Sequence, residues 1–479
     1  MLFNSLKFAV FFPLVCCLYF AAPNRVRVGL LLAASCVFYM AFIPIYILIL
    51  LITILIDYVA GIYLERVQGR ARIALLWVSI ISTCCVLFVF KYFGFLTGNF
   101  VGLASLVGWH LPLPTLHFIL PIGLSFHTFQ SLSYVVEVYR GKQKAEKNFI
   151  VYSTYVMFFP QLVAGPIERP QNLLHQFREE HPFDYARITS GLKRMAWGFF
   201  KKLVVADRLA LYVNDVYAVP QQYNGLQLSV ATVFFAYQIY CDFSGYSDIA
   251  IGAAQVLGYR LVENFNTPYY SSSVSEFWKR WHISLSTWFR DYLYIPLGGN
   301  RVGEARHVFN LLVTFGISGL WHGANWTYVF WGLLNGFYLI AGRATEGTRD
   351  RLFGWIGIAA TGPTRRLTKV ATTFGLTLVA WVFFRARSFG DACYVITHFA
   401  KGWEFGALET PHFQMKHFPA AVAAIVVLEM IQLFRPRIPD AFRLSNMPIA
   451  IRWATYLAFV FTVILFGVYQ ATQFIYFQF

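Results

Sequence analysis

The residues best suited to chemistry in this chain lie in Phe315–Phe337, FGISGLWHGANWTYVFWGLLNGF, an apolar and aromatic stretch without formal charge that carries one imidazole, His322, at its middle. Gly316, Gly319 and Gly323 recur at spacings of three and four, so a helix here has one bare face. A polar ring beside a bare backbone face suits a narrow channel along which a substrate passes the side chain. Ionisable groups at membrane depth are costly, so a functional site is the first expectation for His322, with a packed histidine donating to a backbone carbonyl as the alternative. A neutral imidazole in low dielectric resists charging and stays able to accept a proton from a hydroxyl or thiol. His282, in WKRWHISLS, is the other histidine in a distinctive setting. Two such rings can act as base and orienter, or as base and donor to a developing oxyanion. His127, in LSFHTFQ, lies within an apolar run and reads as packed.

Other chemistries find little support. The chain has no HExxH, GxSxG, GxGxxG or P-loop. No carboxylate lies at ligand spacing from His282 or His322, so no metal is expected. Asp242, Asp248, Glu263, Glu276 and Asp291 are expected to pair with nearby arginines. The seven cysteines sit mostly in apolar segments without a CxxC, which indicates neither disulfides nor a thiolate metal site.

These residues must be positioned by membrane helices. The chain is 58% hydrophobic, 19% aromatic and 13% charged, with a mean hydropathy of +0.54. Several nearly uncharged runs reach the ~20 residues needed to cross a bilayer, and they lack the alternation of barrel strands. The expected fold is therefore all-α, a polytopic integral membrane protein with about ten to twelve transmembrane or re-entrant helices, occupying residues 1–479 as one membrane domain. The net charge of +16 is spread through short loops, as the positive-inside rule requires, which argues against a nucleic-acid partner and for membrane lipid.

The first runs are Leu6–Ala22, Val26–Phe42, Ile45–Leu64, Ala74–Leu96 and Phe118–Val138. Basic loops alternate between them, at Arg25 and Arg27, at Arg66, Arg70 and Arg72, and at RGKQKAEK. This places the N-terminus outside the cell (inner) membrane and the basic loops in the cytoplasm, with Thr97 to Thr115 an uncharged outer loop. The first run reads as a retained span, not a cleaved signal. Phe149–Ala164 is too short to cross and reads as a re-entrant hairpin turning at Gly165-Pro166. Gly191–Tyr217 reads as an amphipathic helix lying on the membrane, with Lys193, Arg194, Lys201, Lys202 and Arg208 toward lipid headgroups. Leu226–Phe243 is a further span ended by a turn at SGYSD. The tryptophan-rich stretch to IPLGGN fits an interface. Val308–Ala341 has basic residues at both ends, so it goes in and returns. Its two arms of roughly 15 residues, ~23 Å each, break at Gly323-Ala324-Asn325 with His322 at the tip. Val370–Phe384, Phe418–Phe434 and Trp453–Phe474 complete the spans, with Arg435, Arg437 and Arg443 inside and Arg385 and Arg387 against the charge rule at the outer interface.

Within the motif core, about residues 242–337, DFSGYSDIAIG, NFNTPYYSSSVSEFWKRWHISLSTWFRDYLYIPLGGNR and GLWHGANWTYVFWGLLNG strongly resemble the membrane-bound O-acyltransferases (MBOAT). The likeness is nearest the bacterial AlgI-like branch of alginate O-acetylation, with teichoic acid D-alanylation more distant, and covers essentially the whole chain. It implies a ring of tilted helices around a thinned centre and a central tunnel. His322 matches the family's catalytic histidine and His282 its second characteristic histidine. His322 is then a general base or transient acetyl carrier, and His282 positions or polarises a thioester. Asn325, Trp326, Gly319 and Gly323 are expected to line the site or tunnel, with packing the alternative role for Trp326. The resemblance further implies acetyl transfer from a cytoplasmic donor, acetyl-CoA, with no permanently bound cofactor. The acceptor is an exported or cell-surface polysaccharide such as alginate or cellulose, reached directly or through an extracytoplasmic acetyltransferase partner protein. Peptidoglycan is the second acceptor reading. A non-enzymatic transporter would need intramembrane charge along a substrate path and helix breaks repeated in two halves, whereas the chain offers one histidine-centred stretch and no duplication.

Overall fold

The computed structural model describes residues 1–109, 121–355, 357, 359, 362–404, 406, 408–434, 447–469 and 474–475. The start of the run Phe118–Val138, the cations Arg435, Arg437 and Arg443, and residues 470–473 of the run Trp453–Phe474 lie outside the described residues. Among the described residues all regular structure is helical, and the one extended pairing is an isolated bridge between Thr410 and Phe413. Among the described residues, five helical stretches are long and apolar enough to cross a membrane: Tyr46–Arg66, Gly69–Leu106, Pro363–Arg385, Met415–Phe434 and Ile449–Phe466. The backbone groups of such a segment must bond internally, which a helix achieves. The chain gathers into two compact units, Met1–Met195 with Ser247–Glu263 and Ala196–Tyr246 with Asn264–Phe479.

In the first unit, Leu6–Ala21, Asn24–Met40 and Tyr46–Arg66 fall close to the apolar runs of the sequence. The fourth run is longer than expected. Gly69–Leu87 continues through a π-turn at Phe88–Tyr92 into Phe93–Leu106, so residues read as an outer loop from Thr97 are helical. Nothing from Thr97 to Leu106 stops a helix, and Gly108, at φ +76°, is the first glycine after it in the left-handed region. Phe149–Met157 spans nine residues, ~13 Å, far short of a ~30 Å core. Asn148 caps it through bonds from the Ile150 and Val151 amides at 2.9 and 3.3 Å. Residues 151–168 are all buried, so its broken backbone is enclosed by protein.

The cations expected to face lipid are largely turned inward. The segment is not one helix but Tyr185–Phe199, a π-turn at Phe200–Ala206, and Asp207–Ala218. Widening the turn rotates the polar stripe. In the first unit Arg194 pairs with Asp248 at 2.9 Å and with Glu263. In the second, Lys201 donates to Ser244 at 3.0 Å, and buried Lys202 lies 2.8 Å from Asp207 and 2.7 Å from Asp242. Burial alone would lower the Lys202 pKa, but Asp242 and Asp207 outweigh it and raise the value above its usual range.

The SGYSD turn is absent, because Gly225–Leu257 is one helix of 33 residues. Its small residues admit neighbours that a side chain would exclude. A Cβ on Gly245 would stand 2.8 Å from the Gly198 carbonyl oxygen, and one on Gly252 2.6 Å from that of Gly191. With Asp242, Ser244 and Asp248 bonded as above, the polar residues that suggested a turn are satisfied inside the protein.

The second unit holds the motif core. Val274–Arg280 and Ile283–Phe289 are short helices separated by Trp281 and His282, and turns at residues 295–300 follow. The hairpin comprises a first arm, Glu304–His322, and a second, Trp326–Ala344. Each arm has 19 residues, ~28 Å, longer than the sequence suggested and close to the ~30 Å hydrocarbon thickness, with the break where expected. Beneath it stands an aromatic wall in which Trp381 packs on Trp281 at 5.0 Å and on Trp331 at 5.9 Å between ring centroids. Arg385, out of place by the charge rule, lies over the Tyr217 ring at 5.5 Å and donates to Asn214 at 2.8 Å.

Candidate active site

The sequence WHGANW codes a helix stop and a helix start. His322 ends the first arm, Gly323 follows in an extended conformation, and Asn325 caps the second arm by accepting from the Thr327 amide at 3.0 Å. The glycines that were expected to open on a channel instead join the arms. A Cβ on Gly319 would collide with the Tyr328 carbonyl oxygen and stand 3.2 Å from the Gly332 Cα, while one on Gly323 would strike the Tyr328 ring. Small residues at helix contacts let backbones approach closely, and here they fill the bare face with protein. Asn325 is exposed, its side chain spent on the cap, and Trp326 is 59% exposed. Of the four residues expected to line the site, two therefore pack the hairpin, one caps it and one points outward.

Both predicted histidines are buried in the second unit, His322 at 4% and His282 at 0% exposure. The His322 ring lies 4.9 Å from Trp321, 5.0 Å and perpendicular to Trp331, and 5.5 Å from Phe384. His282 adjoins the same Trp321 indole at 6.4 Å and meets Phe243 edge-on at 4.5 Å. The two rings are thus within about 11 Å of one another, centroid to centroid.

His282 sits at φ +42°, one of two non-glycine residues with positive φ among those described. That conformation costs about 1–2 kcal/mol in an L-residue, and hydrogen bonds to Asn264 hold it. The Asn264 carbonyl receives the Ile283 amide at 2.9 Å, and its side-chain oxygen takes the Ser284 amide at 3.3 Å and hydroxyl at 2.9 Å. The His282 Nδ1 lies 3.1 Å from that same side-chain oxygen. A backbone N–H can only donate, so the Asn264 atom it meets is oxygen, and Nδ1 of His282 must carry the proton. Nε2 then presents a lone pair. Burial pushes the ring pKa down to about 3, which keeps it neutral.

A cavity of about 1610 Å³ lies in the same unit. Its wall includes Lys279, Arg290, Arg343, Arg349 and Lys369 against the acids Glu346 and Asp350, a surplus of positive charge. Neither histidine lines it, but Ser318, Trp278 and Phe315 do. Ser318 is one helical turn before His322 on the same face. Trp278 packs on Trp331 at 5.8 Å, the ring that stands perpendicular to His322. Two packed rings, Trp278 and then Trp331, therefore connect the cavity wall to the imidazole.

Two contributors escaped the sequence reading, Asn264 and Trp321. Both lie in the quoted motifs, but Asn264 is 18 residues from the ring it orients and Trp321 reads as one more aromatic in an aromatic run.

The profile of the membrane-bound O-acyltransferase family matches residues 142–353, which take in both histidines, Asn264 and Trp321. A protein of Azotobacter vinelandii named "Probable alginate O-acetylase AlgI" is 39% identical over 392 residues, 81% of this chain and 76% of its own length. The chain belongs to the membrane-bound O-acyltransferase family. A peptidoglycan O-acetyltransferase of Helicobacter pylori is 34% identical over 404 residues, 78% of this chain and 74% of its own. The teichoic acid D-alanyltransferase of Bacillus subtilis is more distant, at 28% over 225 residues, 44% of this chain and 56% of its own. As a membrane-bound O-acyltransferase, the protein is an integral membrane enzyme that takes an acyl group from a donor.

Proposed function

We propose that the enzyme takes an acetyl group from acetyl-CoA on the cytoplasmic side of the cell membrane for O-acetylation of an exported, alginate-like polysaccharide. The reading rests on one observation: the buried His322 imidazole is linked through two packed rings, Trp331 and Trp278, to a large cavity walled by cations. Lys279, Arg290, Arg343, Arg349 and Lys369 suit the phosphates of a coenzyme A thioester. By the positive-inside rule the same cations turn the cavity toward the cytoplasm, with the N-terminus outside.

In this reading neutral His322 takes the proton of the acceptor hydroxyl as its oxygen attacks the thioester carbonyl. The C–S bond breaks, and the departing thiolate recovers the proton from the imidazolium, leaving an ester and a free thiol. His282, with its Nδ1 proton committed to Asn264, offers only an Nε2 lone pair. It therefore positions a hydroxyl or thiol and does not polarise a carbonyl. The acceptor is the polysaccharide itself or an extracytoplasmic partner protein that passes the acetyl on. The Azotobacter relative favours an alginate-like acceptor, and the Helicobacter relative favours peptidoglycan as the second reading.

The test is transfer from radiolabelled acetyl-CoA by membranes holding equal amounts of wild-type and His322→Ala protein. The variant should lose about a thousandfold in rate, whereas wild-type acetylation by it would defeat the assignment. Acetyl-enzyme trapped on His322 would make that residue a carrier, not a base.

A further inference from the structure

A second cavity lies in the first unit. It is an open space of about 510 Å³, lined by residues 146–150 together with Tyr58 and Arg178. It stands where the basic loop RGKQKAEK runs into the short helix Phe149–Met157. The Tyr58 hydroxyl donates to the Lys147 carbonyl at 2.6 Å, and its ring meets Phe149 edge-on at 5.2 Å. Tyr58 belongs to the span Tyr46–Arg66, about two turns before its basic end. Three donors line this cavity. The Lys147 ammonium makes no ion pair or hydrogen bond among the described residues. Arg178 gives Nη2 to both oxygens of Glu146, at 2.5 and 2.7 Å, and among the described residues its other nitrogens are unengaged. Asn148 spends its side-chain oxygen on the helix cap, which leaves its amide nitrogen to donate.

Glu146 is the one acid on this wall. It is 4% exposed, and the Arg178 guanidinium and the Asn148 backbone amide, at 2.9 Å, already hold its carboxylate. A metal ion therefore finds no open acidic ligand here. The cavity presents a surplus of positive charge and of N–H donors. Beside them Phe149 and Ile150 are 38% and 47% exposed. Water or a free phosphate satisfies the donors but leaves those two side chains uncovered. A phosphate diester carrying acyl chains answers both halves of the site. The setting agrees, since tyrosines beside membrane spans stand at the level of the headgroups, where basic residues attract anionic lipid. We propose that this cavity holds one anionic phospholipid, its phosphate between Lys147 and Arg178 and its acyl chains along Phe149 and Ile150.

The experiment uses the purified full chain in detergent, with thermal unfolding followed across titrations of phosphatidylglycerol, phosphatidylcholine and inorganic phosphate at constant ionic strength. Phosphatidylglycerol should raise the Tm by a few degrees and saturate, while phosphatidylcholine and inorganic phosphate leave it unchanged. Lys147 is exposed and its side chain makes no bond, so Lys147→Ala should keep the wild-type Tm in phosphatidylcholine. It should raise the phosphatidylglycerol midpoint about fivefold, and Lys147→Arg should restore it. Lys142→Ala, in the same loop but outside the cavity, should match the wild type. Equal Tm in the two lipids, or a midpoint that Lys147→Ala leaves in place, would overturn the proposal. So would a midpoint moved as far by Lys142→Ala, which is general charge attraction, or saturation by inorganic phosphate, which is a free anion.

Discussion

His282 and His322 adjoin one indole and are both enclosed, yet they are held in different ways. His282 sits in a left-handed backbone, its ring proton fixed by Asn264 and its neighbours locked by three more bonds to the same residue. His322 closes a helix and stands among the rings of Trp321, Trp331 and Phe384, with Trp331 packed on the cavity-lining Trp278. Burial alone does not assign a role. In the proposed reaction the ring whose tautomer and orientation are fixed does the positioning, and the ring at the end of the helix takes the proton.

The contrast can be broken by measurement. The largest effect belongs to His322→Ala, about a thousandfold in acetyl transfer. His282→Ala should cost less, about a hundredfold at most, because it removes placement and not the proton acceptor. Equal losses in both variants, measured in membranes at matched protein levels, would erase the distinction.

Acidification sharpens it further. The His282 pKa falls from 6.5 in the unfolded chain to about 3 when folded. Between those values the unfolded state binds the extra proton, so stability is complete above pH ~6.5 and declines as pH drops toward 3. At pH 5 this amounts to about 2 kcal/mol. Asn264→Asp places a carboxylate on the ring N–H and raises the folded value, so Tm should drop less between pH 7 and pH 5 than in the wild type. A wild type and variant with the same acid sensitivity would remove Asn264 from its role.

Gly319→Ala forces a methyl onto the Tyr328 carbonyl and should destabilise the hairpin by about 1–3 kcal/mol, read as a lowered Tm. A variant of unchanged Tm would reopen a passage along the glycine face. The smallest effect is expected for Trp326→Ala. Its ring is 59% exposed, so transfer should stay within about twofold.

Much of the fold was legible because membrane helices announce themselves by unbroken apolarity. Tyr46–Arg66, Pro363–Arg385 and Phe418–Phe434 fall near the runs read from sequence. The hairpin break was legible too, since glycine followed by an Asn N-cap is a local signal. Elsewhere local polarity misled. SGYSD looks like a turn until Lys201, Lys202 and Arg194 satisfy the side chains on and beside it, and the basic face of Gly191–Tyr217 looks lipid-bound until a π-turn swings Lys201 and Lys202 into the protein.

By itself the sequence determined that this is a helical membrane protein, that two of its histidines stand in distinctive settings, and that a helix stops at His322. Those are properties of residue type and short-range spacing, where one side chain and its near neighbours carry the whole signal. Only the tertiary structure decided that Trp321 adjoins both imidazoles, that Asn264 fixes the proton of His282, and that Gly319 and Gly323 seal a contact where a passage was expected. Each of these depends on which helices meet and at what distance, a matter of packing between residues far apart in the chain.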